Sequence, residues 1–112
     1  MQPVNLTATH QALGGLPPAA VTAIVSAFET DVVRLVQQMD RASGNGDAAA
    51  LRFAAHGLAG VSATFGACYL TALARRVIQG AEVCSPDLLA AVRHEASLSM
   101  AEIKQAFSAQ PA

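Results

Sequence analysis

Val21, Ile24, Val25, Phe28, Val32, Leu35, Val36 and Met39 recur at steps of three and four, the period of a single helix face. Glu29, Asp31, Arg34, Gln37 and Gln38 fill the other faces. A helix this long with one apolar stripe cannot bury that stripe by itself, so further helices must cover it. The rest of the chain supplies them. Pro17-Pro18 suits a first helical turn, where a missing amide proton costs little, and Ser43-Gly-Asn-Gly46 ends the segment after about Ala42. Asp47 is placed to cap a second helix reaching about Phe65, after which Gly66 permits a tight bend. Leu70, Leu73 and Val77 form a narrow seam on a third, with Arg75 and Arg76 on other faces and Gly80 at its end. Ser85-Pro86-Asp87 combines a capping hydroxyl, a first-turn proline and a first-turn acid. The fourth helix then repeats Leu88, Leu89, Val92, Ala96, Met100, Ile103 and Phe107, with Lys104 near its end complementing the dipole.

Ahead of these, Asn5–Leu13 predicts a short helix stopped by Gly14-Gly15. No strand pattern or repeat interrupts the series. The expectation is an all-α fold: an antiparallel up-down-up-down four-helix bundle with a short N-terminal lead-in helix. Residues 1–112 form one domain, with lead-in 1–15 and bundle 16–109. Hydrophobic residues make up 53% of the chain and charged ones 13%, much of the apolar share being alanine, which suits closely packed helices. A formal net charge of −1 gives no reason to expect nucleic acid or an anionic membrane, so the expected partners are proteins. No apolar run is long enough to span a bilayer, and the N-terminus lacks the basic start and apolar core of a signal peptide, which predicts a cytoplasmic protein. Cys68 and Cys84 make no disulfide framework and read as free thiols, Cys68 as a small core residue.

The stretch Arg52–Ala67 carries the chemistry. On a helical projection of about 100° per residue, Leu51, Ala54, Leu58, Val61 and Phe65 fall roughly 140–180° from His56. They form the buried stripe, so His56 faces outward. Its neighbours one turn away are Arg52, Ala59 and Gly60, and two turns away Ala49 and Ala63. Apart from Arg52 these are small, so the imidazole stands on a shelf that a second protein can approach. His10 and His94 read as solvated side chains. The three histidines show no i, i+4 pairing, and neither they nor the thiols have the spacing of a metal site.

His56-Gly-Leu58-Ala-Gly60-Val-Ser62-Ala-Thr-Phe-Gly66-Ala67-Cys-Tyr-Leu70-Thr-Ala-Leu73 resembles the signature of histidine-phosphotransfer (HPt) domains. That signature is a helical His, then Leu two on, Gly four on, Ser-Ala, Gly-Ala and two spaced leucines. The predicted bundle and lead-in helix suit the family as well. The resemblance implies a phosphocarrier of a multistep two-component relay, which is no independent enzyme. His56 would accept a phosphoryl group from the aspartate of one response-regulator receiver domain, or of a hybrid histidine kinase, and pass it to another. It also implies that the Mg²⁺ and acidic pocket belong to the receiver, that this chain binds no cofactor or metal, and that Ala49, Ala59, Gly60 and Ala63 form the docking surface. Met1 and the lack of a linker predict a free-standing carrier, and the scarcity of surplus apolar surface predicts a monomer.

Two positions depart from the family pattern. The family usually has Lys three residues after the His, where this chain has Ala59, and Arg52 is the candidate to stabilise the phosphoryl group instead. Ile78 stands where the family often has Glu. Ala59 supports an alternative in which a degenerate HPt-like module docks a receiver or kinase without being phosphorylated, as inhibitor or scaffold. A helical module unrelated to signalling is a third reading. No carboxylate pair, triad or phosphate loop points to an enzyme.

Overall fold

The computed structural model describes residues 4–108, and every regular element among them is helical. In order these are α1 (Leu6–Leu13), α2 (Pro18–Gly44), α3 (Ala48–Thr64), α4 (Cys68–Gln79), a 3-10 turn (Ala81–Val83) and α5 (Pro86–Ser108). The boundaries follow from local chemistry. Pro18 opens α2, the Asp47 carboxylate accepts the Ala50 amide at 3.0 Å to cap α3, and the Ser85 hydroxyl accepts the Leu88 amide at 3.1 Å to cap α5. Helix α2 runs past the expected Ala42 to Gly44, because the Asn45 amide still finds the Arg41 carbonyl at 3.0 Å. The 3-10 turn was not expected; it buries Ala81 and brings Glu82 to the surface.

Each long helix packs on the next, α2 on α3, α3 on α4 and α4 on α5, and α5 returns to α2, which closes a helical bundle. Phe28, Met39, Leu58, Leu70 and Ile103 are its largest fully buried side chains. The Phe28 and Phe65 rings pack with centroids 4.3 Å apart, joining α2 to the end of α3. Helix α1 is fastened to the α3–α4 bend. The buried Thr9 hydroxyl donates to the Phe65 carbonyl, and the Asn5 amide donates to the Gly66 carbonyl at 2.6 Å. Carbonyls left over at the end of α3 are thereby satisfied from outside the helix. Gly66 sits at φ +73, where a side chain would strain the backbone, and so turns the chain sharply between α3 and α4.

Three readings of single residues need correction. Cys68 is exposed: it opens α4 on the outer side, and Ala67 takes the buried place beside it. Val61 lies at the edge of the α3 stripe and is only half-buried. His10 is exposed but not simply solvated, since its ring rests 4.9 Å from that of Phe107.

Candidate functional site

His56 lies mid-way along α3 with its side chain exposed, and Leu51, Ala54 and Leu58 are buried behind it. It makes no hydrogen bond or ion pair with any described residue. Two glycines follow closely. A Cβ at Gly57 would stand 2.9 Å from Leu35 Cδ2, so this glycine leaves room for the Leu35 side chain of α2 to pack on α3. Gly60 faces open space. Ala49, Gly60 and Ala63 are exposed and Ala59 is half-buried, so these four do border the imidazole as small residues.

The shelf is not made of small residues alone. Phe53 is 81% exposed, far more than any other large apolar side chain among the described residues. It stands about 60° from His56 on the helix projection, on the side opposite Arg52, and edges a shallow groove shared with Gln38, Arg41 and Asn45 of α2 and its end. A single exposed ring is common on protein surfaces, but this one stands beside the small residues that border His56. The sequence carried the signal: Phe53 belongs neither to the buried stripe nor to any polar face. It also qualifies the expectation of little surplus apolar surface.

Arg52 is engaged. Its guanidinium binds the Glu82 carboxylate in the 3-10 turn. The Glu82 carboxyl is held below the usual carboxylate range, first by its own backbone amide and then by the Arg52 hydrogen bond and charge. Arg75 and Arg76 are exposed on α4 with no partner among the described residues. Behind this surface the α3–α4 register is fixed by two buried hydroxyls: Ser62 donates to the Leu58 carbonyl at 2.6 Å and lies 2.9 Å from the Thr71 hydroxyl.

One property of the hairpin is plain in the sequence once its limits are known. From Ala48 to Gln79 the chain has Arg52, Arg75 and Arg76 and no carboxylate, although the whole chain has 8 Asp and Glu residues. An accessible imidazole thus sits on a hairpin whose own residues are net positive in an otherwise acidic chain, with Glu82 of the 3-10 turn paired to its Arg52. Such a surface favours anions and acidic partners. No group of three or more His, Cys, Asp or Glu side chains able to hold a metal occurs among the described residues. No helix of the described residues is long and apolar enough to cross a membrane.

The family model described as the Hpt domain matches residues 23–108, which includes all of α3, α4, the 3-10 turn and α5 and most of α2. No curated protein and no solved structure matches the chain.

Proposed function

The chain belongs to the Hpt domain family, whose members are phosphocarriers of two-component relays, and from that membership we propose that His56 is its phosphoacceptor. The observation that carries the reading is the exposed, unpartnered imidazole on a regular helix within the acid-free hairpin. An imidazole nitrogen attacks the phosphorus of a receiver's aspartyl phosphate. The P–N bond forms as the acyl phosphate P–O bond breaks, the aspartate leaves as carboxylate, and the imidazole gives up a proton. The reverse step delivers the group to a second receiver. Transfer of this kind rests on positioning and charge stabilisation more than on covalent help, and the receiver supplies the Mg²⁺ and acidic pocket. This chain supplies an imidazole, a flat approach at Ala49, Ala59, Gly60 and Ala63, and positive charge. Arg52 shares its part of that charge with Glu82.

In this reading residues 1–112 act as one monomeric domain in the cytoplasm. Its long helices alternate up and down, because each short connection returns the chain along the helix it has just left. The test is label transfer from a phosphorylated receiver domain of the same organism. Label that is acid-labile and base-stable supports the carrier; no label from any such receiver, with folding intact, supports a docking module instead. Ala59, in the place of the family's usual lysine, is what favours that second reading.

Phe53 extends the docking surface beyond the small residues. Receivers dock here with the Phe53 ring as the apolar anchor, so Phe53→Ala is expected to weaken receiver binding roughly tenfold to a hundredfold. Its melting temperature should not fall, because the ring is already in water. Calorimetric titration with the receiver decides this; unchanged affinity removes Phe53 from the interface.

A further inference from the structure

Resting on the carrier reading, we infer that Arg75, reaching across from α4, supplies the cation that stabilises a phosphoryl group on His56. Two cross-links fix the register. Ser62 meets Thr71, and Arg52 meets Glu82, so a step back along α3 is matched by about one step forward along the chain after the bend. Three residues back from Ser62 is Ala59, and four forward from Thr71 is Arg75. The same count sets His56 level with Ile78. Thr71, Arg75 and Ile78 share one face of α4, at i, i+4 and i+7.

Thr71, buried against Ser62, shows that this face borders α3, and Arg75 is its exposed member at the outer edge of the α3–α4 contact. Ala59, opposite, has no side chain beyond Cβ to occupy that edge. The other cations near the imidazole are worse placed. Arg52 is bound to Glu82, and Arg76 lies about 100° further round α4, away from α3. Arg75 has no partner among the described residues, and neither α3 nor α4 contains a carboxylate to claim it. A phosphoryl group on His56 presents anionic oxygens beside the guanidinium, which binds such groups through two parallel N–H donors.

Phosphoramidate is the first donor for the test, because it needs no protein docking. An imidazole nitrogen displaces ammonia from phosphorus, one P–N bond replacing another. Native protein, Arg75→Ala, Arg75→Lys, Arg76→Ala and His56→Gln are loaded, and the rate of labelling and lifetime of the phosphohistidine are followed, with each melting curve recorded. The expected result is a loss of roughly threefold to tenfold in rate or lifetime for Arg75→Ala, partial recovery in Arg75→Lys, native behaviour in Arg76→Ala, and equal melting temperatures. Native rate and lifetime in Arg75→Ala would overturn the inference and leave the carrier reading standing. So would a deficit seen with a receiver donor but not with phosphoramidate, which would make Arg75 a docking contact. Native protein that takes no label on His56 from either donor would overturn both.

Discussion

Replacing His56 with glutamine is expected to abolish acid-labile phosphate on this protein while leaving its melting curve unchanged. The amide nitrogen of glutamine has no free lone pair with which to attack phosphorus, so the loss should be complete rather than partial. The fold has no stake in the imidazole. His56 is exposed and bonded to no described residue, and glutamine is the better helix former, so the change in stability should stay within about 0.5 kcal/mol. Receiver binding should survive too, because the surrounding small residues and Phe53 are untouched. Label persisting on the variant would move the acceptor elsewhere, with exposed His10 and His94 the first places to look. An unfolded variant would mean that the helix depends on His56 in a way its surroundings do not show.

The largest loss of stability is expected from Phe28→Ala. Phe28 is 1% exposed, and its ring packs on that of Phe65 at the point where α3 ends. Truncation removes the buried surface and leaves a cavity between α2 and the α3–α4 bend, a change that costs about 3–5 kcal/mol in well-packed cores. For a domain of this size that corresponds to a fall in melting temperature of at least about 10 °C. Whole-domain stabilities are about 5–15 kcal/mol, so the variant should be folded only marginally. Urea and thermal unfolding measure both quantities. A loss below about 1 kcal/mol would show that neighbouring side chains collapse into the space and that the aromatic pair does not brace the bend.

Most of the helical fold was legible because its determinants are local. Pro17-Pro18, Asp47, Gly66 and Ser85-Pro86 act on the backbone beside them, and the structure places helix starts and the sharp bend where those residues stand. The burial of Leu51, Ala54 and Leu58, and hence the outward face of His56, followed from helical period alone. What could not be read was contact between elements. The 3-10 turn has no strong propensity signal, and it is the turn that delivers Glu82 to Arg52. An arginine beside a histidine on a projection therefore looked available when its charge was already engaged. Cys68 and His10 were misplaced for the same reason: their surroundings are set by Ala67 and Phe107, which pack through the tertiary fold. Phe53 and the acid-free hairpin were present in the sequence. They acquired meaning only once helix limits showed which residues share a surface.

The open mounting of His56 on an uninterrupted helix has a thermodynamic corollary. A regular helix has no closed form, so this side chain has no second state in which to sequester what it carries. Under the carrier reading, such a protein cannot impose a direction on flow; it can only equilibrate. Net movement is then set by the relative free energies and concentrations of the acyl phosphates on either side, and the protein's abundance sets how much is held between them. Reversal of the signal needs no change in this chain, only a change in which neighbour is emptied faster.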